Sequence, residues 1–304
     1  MNRKTGASFL LPLILFYFSC SKTGAAKNTA LDTGGVSLPE TSELHQEKDL
    51  PDLADAIARF SRMRNIDPDS AAFIEDYLRW IFGEAGIPDR FVQNVTASLI
   101  EGPDFFMEFF ELLNQDPYTY FLVDKKNPLP DRYEPDDLTA LTAGTYRLNR
   151  DGLELRKIAA DALQEMAEAA ATEGITFTVG SAYRSAAYQA QVYEREVQMY
   201  GKEAADRESA QPGKSQHQLG MVVDFSPIDD AFAKTPAFQW LKKNAGRFGW
   251  ALSYPDGYED ITGYRWESWH YRYVGRDLAA FIDTYFEGIQ QYALQFIQVW
   301  QEQK

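Results

Sequence analysis

The chain holds three histidines in 304 residues, and two of them sit where they could do chemistry. His217 lies in "PGKSQHQLGMVVDFSP", residues 212 to 227, and Asp224 follows it seven residues later across an apolar run. His270 lies in "GYRWESWHYRYVG", with Glu267 three residues before it. Two imidazoles and a carboxylate are donors that a catalytic zinc ion accepts while keeping one position open for water. A further carboxylate beside such an ion can take a proton from that water. The stretch from His217 to Asp224 reads as one buried strand with a polar group at either end. Ligands at the ends of different strands can then converge on one point. Spacing alone leaves a plainer alternative standing. A buried histidine can donate to a backbone carbonyl, Asp224 can cap a turn, and Glu267 can be a solvated charge. No compact metal motif is present, and this donor set would also admit cobalt, nickel or manganese.

The elements around these residues must hold them still. "ITFTVGSAYRS" alternates Ile175, Phe177 and Val179, a half-buried strand that runs into a polar turn. "GMVVDFS", "WALSYP" and "WHYRYVG" read as further short strands. A helix is predicted from about Asp151 to Glu173, with Leu155, Ile158, Leu163 and Met166 on its apolar side and Gly174 placed to end it. "AAYQAQVYEREVQMYG" is a second helix, and Phe281, Tyr285, Ile289, Phe296 and Trp300 trace a single terminal one. Upstream, residues 49–116 are helical throughout, with Leu50, Leu53, Ile57 and Phe60 at intervals of three and four. Phe73, Tyr77 and Ile81, beside Ile74, Leu78 and Phe82, repeat the pattern, and Asp67-Pro68 and Ile87-Pro88 act as breakers. The expected fold is α+β: an all-helical N-terminal segment, then a small, mainly antiparallel sheet with flanking helices. The expected divisions are 49–116, 117–286 and 287–304.

Composition narrows the partners. With 30 basic against 45 acidic residues the net charge is −15, which argues against nucleic acid or an anionic membrane face. The first 20 residues, "MNRKTGASFLLPLILFYFSC", carry Arg3 and Lys4 and then an apolar run from Phe9 to Phe18. That run is shorter than the roughly 20 residues a spanning helix needs, and it fits the apolar part of an export signal. Cys20 is the only cysteine, so intramolecular disulfides and thiolate metal sites are excluded. Its position is similar to that in a bacterial lipoprotein signal, which implies that Cys20 carries lipid and that the membrane is met through this anchor alone. Residues 21–48 read as a flexible tether, and the protein is expected at the cell envelope, facing the periplasm or the wall. Nothing in the sequence indicates an oligomeric state.

Taken in order, "SAYRS", "KSQHQLGMVVDF", "FGWALSYP" and "GYRWESWHYRYVG" resemble the motifs of the VanY-type D-alanyl-D-alanine carboxypeptidases, zinc peptidases that trim bacterial cell-wall peptides. "LVDKKNPLPDRYEPDDL" resembles the segment that opens that domain, so the likeness covers about residues 117–286. The resemblance implies one zinc ion held by His217, Asp224 and His270, with Glu267 as catalytic base and Arg184 facing the carbonyl under attack. It places Ser215, Gln189, Tyr254 and Ser181 near the substrate terminus. The implied substrate is a peptidoglycan stem peptide losing its terminal D-alanine, from a D,D-linked pentapeptide or an L,D-linked tetrapeptide. A wall-binding protein of the same fold without activity is the competing expectation. Ala182 stands where glycine is common and Ser268 where proline is common, and neither change removes a reactive group.

Overall fold

The computed structural model describes residues 53–101 and 104–302. The export signal, Cys20 and the tether lie outside these residues. The chain divides into two compact units. Among the described residues, one takes in those up to Met107 and those from Trp300, and the other is Glu108–Val299.

The first unit is helical, as its three- and four-residue spacing predicts. It contains α1 (Leu53–Arg64), α2 (Pro68–Glu84), α3 (Asp89–Glu101) and the start of α4 (Asp104–Leu112). Asp67 caps α2, accepting hydrogen bonds from Ser70 N at 2.9 Å and Ser70 Oγ at 2.6 Å, with Pro68 in the first turn. This pairing satisfies an amide that the helix itself cannot. Ile57, Phe60, Ile74, Leu78 and Ile81 are buried, whereas Phe73, predicted on the apolar face, is exposed. Ile74, Leu78 and Phe82, predicted beside it, lie on the buried face with Ile81.

The second unit is built on a five-stranded sheet in the order β2-β4-β5-β7-β6, namely Arg147–Leu148, Thr178–Ser181, Val222–Phe225, His270–Tyr273 and Trp250–Leu252. Only β2 and β4 run parallel; the other pairings are antiparallel. Strands β1 (Leu138–Ala140) and β3 (Glu154–Arg156) make a separate two-stranded ladder. Side chains alternate across each strand. Val223, Phe225, Tyr271 and Tyr273 therefore enter one core with Phe177, Val179, Leu163 and Trp250. Asp224, His270 and Arg272 point to the other face.

Three expectations need correction. The helix predicted from Asp151 starts later: Glu154–Arg156 is a strand, and the helix is α5 (Lys157–Thr172). Pairing with Leu138–Ala140 occupies the backbone of 154–156, and Arg156 is held by Asp137 at 2.6 Å and Asp116 at 2.7 Å. Leu155 is buried as a strand residue and Ile158 is exposed, so neither lies on the apolar side of α5. The single terminal helix is two, α10 (Arg276–Phe286) and α11 (Gln290–Gln301). Glu287 and Gly288 between them take φ of 52° and 80°, a left-handed pair that ends a helix. The stretch from His217 to Asp224 is not one strand. Gln216–Leu219 forms a 3-10 turn, Gly220 reverses at φ 71°, and β5 begins at Val222. A Cβ on Gly220 would lie 2.9 Å from Arg156 Cγ, so both conformation and space require glycine there.

Arg272 deserves its place in the architecture because it is wholly buried. Its Nη2 donates to the carbonyls of Tyr118, Thr119 and Phe121 at 3.1, 3.1 and 2.8 Å, tying the segment ahead of the sheet to β7. Burial lowers its pKa to about 10, so it stays cationic at neutral pH.

Candidate metal centre and its cavity

Strand register gathers the central residues. Ser181 of β4 pairs with Asp224 of β5, and Asp224 pairs with His270 of β7, so the three form a row across adjacent strands. The 3-10 turn, capped by Ser215 Oγ accepting from His217 N at 3.3 Å, swings His217 to the same row. Among the described residues, His217, Asp224 and His270 are the group able to hold a metal ion, with ligand atoms all within 4.8 Å of one another. All three are buried.

Hydrogen bonds fix which nitrogen each imidazole presents. His217 Nδ1 lies 2.6 Å from the Ala182 carbonyl, an acceptor only, so Nδ1 carries the proton and Nε2 the lone pair. That lone pair faces Asp224 Oδ2 at 3.1 Å. His270 is held the opposite way. Its Nε2 lies 3.3 Å from Gln216 Oε1, leaving Nδ1 to face Asp224 Oδ1 at 3.1 Å and Glu267 Oε2 at 3.2 Å. Asp224 Oδ1 is buried and makes no hydrogen bond. Acceptors thus face acceptors across a short gap, an arrangement that repels unless a cation fills it. The donor set and its outer partners fit a zinc ion.

Electrostatics agree. Burial, with Arg184 nearby, lowers His217 to about 4, so it stays neutral and available as a ligand. Burial opposes charge on His270 as well, but Asp224 and Glu267 overcome it and raise His270 to about 9. A proton there stands in for the ion. Asp224 sits well below the usual carboxylate range: burial acts against this, and His217, His270 and Arg184 outweigh it. Burial raises Glu267 despite the pull of His270, which moves it toward the working range of a general base.

A cavity of about 200 Å³ opens on this row, and Arg184, Gln189, Ser215, Tyr254, Glu267 and Trp269 line it with the three ligands. Arg184 Nη2 donates to Asp224 Oδ2 at 2.5 Å and its Nε to Ser181 Oγ at 2.9 Å. The amide of Gln189 is committed: Nε2 donates to the Ala210 carbonyl at 2.8 Å, and Oε1 lies 3.5 Å from Arg184 Nη1. Ser181 and Gln189 therefore brace Arg184. The Tyr254 ring packs 4.7 Å from the His270 ring, and burial raises its hydroxyl well above the ordinary value. The structure brings every sequence-predicted residue of the domain to this one place; Cys20 lies outside the described residues.

Several supporting groups escaped sequence reasoning. Gln216 Oε1 also accepts from Ser253 Oγ at 2.7 Å, and Ser253 Oγ accepts from Gln290 Nε2 at 2.9 Å. A chain of hydrogen bonds thus runs from the start of α11 to a metal-facing imidazole. The "QHQ" triplet offered a signal for Gln216. The Ala182 carbonyl, being backbone, offered none.

Comparison with known proteins agrees with this geometry. A family model described as "VanY: D-alanyl-D-alanine carboxypeptidase" matches residues 152–276. YodJ of Bacillus subtilis (strain 168) is 36% identical over 182 residues, 55% of this chain and 67% of that protein. The LD-carboxypeptidase LdcB aligns with a TM-score of 0.50 and 35% identity, over 58% of this chain and 89% of that one. A vancomycin-resistance D,D-pentapeptidase, VanY, solved in complex with Zn(II), aligns with a TM-score of 0.50 and 31% identity, over 58% and 98%. A chain that spans nearly all of a VanY structure at this identity, with the ligand row intact, belongs to the VanY D-alanyl-D-alanine carboxypeptidase family.

Proposed function

We propose that the protein is a zinc-dependent carboxypeptidase that removes the terminal D-alanine from peptidoglycan stem peptides. The observation that carries this reading is the convergence of His217 Nε2, Asp224 and His270 Nδ1 on one gap, beside Glu267 and Arg184, in a cavity sized for a peptide end. Bound in that gap, zinc supplies Lewis acidity and brings the pKa of water toward about 7. Glu267 Oε2 takes the proton of the attacking water and returns it to the departing amine nitrogen, which leaves as D-alanine. Arg184 keeps guanidinium donors beyond those on Asp224 and Ser181, and these stabilise negative charge on the oxygen of the attacked carbonyl. Ser215 and Tyr254 line the side of the cavity where the terminal carboxylate is received.

Export and acylation at Cys20 belong to the same proposal, supported by the basic start, the short apolar run and the cysteine that follows it. The likeness to LdcB favours a second reading of the bond cut, the L,D linkage of a tetrapeptide. Purified protein from residue 28 onward, incubated with pentapeptide and tetrapeptide muropeptides with and without a chelator, separates these. Mass spectrometry showing loss of one alanine, abolished by chelation, supports the carboxypeptidase and names its linkage. Zinc-loaded protein that cleaves neither refutes it.

A further inference from the structure

A second cavity of similar size adjoins the metal site. Its volume is about 210 Å³, its walls include Lys125, Lys214 and Asp206, and it shares Ser209 and Tyr264 with the metal cavity. In a chain of net charge −15, two lysines facing one cavity beside the reaction centre call for a reason. Asp206 and Glu259 both favour the charge on Lys125, but each is already paired: Asp206 accepts from the Tyr193 hydroxyl at 2.6 Å and pairs with Lys202, and Glu259 pairs with Arg207. Lys214 makes no ion pair among the described residues. Lys125 donates to the Gly263 carbonyl and lies 4.4 Å from the Tyr264 ring centre, where burial lowers its pKa. A second observation points the same way. Tyr264 is only 2% exposed, yet its hydroxyl has no hydrogen-bond partner.

Resting on the carboxypeptidase reading, we propose that Lys125, Lys214 and the Tyr264 hydroxyl form a subsite for a second carboxylate of the substrate, one that lies upstream of the bond cut. The leaving residue's own carboxylate is two bonds from the scissile nitrogen, so it stays in the metal cavity. From His270 to Lys125 the path runs through successive ring contacts of 4.7 Å to Tyr254, 4.8 Å to Tyr264 and 4.4 Å to the ammonium. An extended chain advances roughly 3.5 Å per residue, so the carboxylate that arrives belongs to a residue a few positions back. Stem peptides carry free carboxylates there, on the γ-linked glutamate and on a dicarboxylic diamino acid at the third position. Both become neutral when amidated.

The test uses four peptides that differ only in carboxylate or carboxamide at those two positions. Binding is measured by calorimetry to the zinc-loaded Glu267→Gln protein, and kcat/KM is measured with the wild type. The expected result is about tenfold tighter binding, and an equal preference in KM, for the carboxylate form at one position, weakening with added salt. The position that shows it identifies the source. Replacement by K214Q, and separately by K125M, should bring that preference toward one; K214Q changes a half-exposed side chain and leaves the fold intact. Equal affinities for all four peptides, or a preference that survives both replacements, overturns the subsite while leaving the carboxypeptidase standing. Tight, carboxylate-selective binding with no cleavage by the wild type would sink the activity and keep the subsite. No binding of any peptide overturns both.

Discussion

The two faces of β5 and β7 are made by alternate residues of the same eight positions, and they could hardly differ more. On one face Val223, Phe225, Tyr271 and Tyr273 pack into the core, with the Phe225 and Tyr271 rings 5.9 Å apart. On the other, Asp224, His270 and Arg272 are equally buried but carry charge or bind a proton. The apolar face needs only to be filled. The polar face needs partners for its polar atoms, and it finds many of them in backbone carbonyls and amide side chains brought in from other elements, though Arg272 Nε and Nη1 are left without one. Stability is thus concentrated on one side of the strands and reactivity on the other.

The sharpest break of that contrast is Glu267→Gln. It keeps shape and should keep zinc at one per chain, while kcat falls by about 10²–10⁴-fold; metal analysis beside kinetics checks both. Loss of zinc together with activity would show that Glu267 builds the site rather than acting in it. On the opposite face, Phe225→Ala removes a buried ring and should cost about 3–5 kcal/mol, read by denaturant unfolding of the metal-free protein. A smaller effect is expected from Gln216→Leu, which takes away the acceptor that keeps the proton on His270 Nε2. Zinc affinity, measured against a competing chelator, should fall roughly 10–100-fold, and Gln216→Glu should restore it.

The mildest lever is pH. Zinc needs the Nδ1 lone pair of His270, which holds a proton up to about 9, whereas His217 is neutral down to about 4. Calorimetry at pH 7.5 in buffers of different ionisation enthalpy should therefore show release of close to one proton per zinc from His270, and affinity should rise with pH up to about 9. The sign for the metal-free fold is opposite. A raised histidine contributes stability below its ordinary 6.5 and loses it as pH climbs through about 9.

Much of the polar face was legible in the sequence because its residues are rare and ordered: His217, Asp224, Glu267 and His270 come in motifs that the resemblance singles out, where spacing alone left a plainer alternative open. Their orientation was not legible. Which nitrogen each histidine offers depends on the Ala182 carbonyl and on Gln216, and the latter is set by Ser253 and Gln290 far along the chain. Gln290 lies past the family match, in a helix whose apolar spacing said nothing of a polar contact at its first turn. The strand at Glu154–Arg156 was missed for a similar reason. Its partner Leu138–Ala140 is non-local, and local helix propensity ran straight through it. Side-chain alternation, being local, did mark Phe177 and Val179 as core.

The row of Ser181, Asp224 and His270 across three hydrogen-bonded strands has a kinetic consequence. Groups on adjacent paired strands cannot separate without breaking the ladder, and central ladders open only with the whole domain. Breathing of the sheet is thereby closed off as a route for the ion to escape. What remains is the cavity side, lined by Arg184, Glu267 and Tyr254 among others, so the lifetime of the loaded enzyme and the lifetime of the fold would be set by different parts of the molecule.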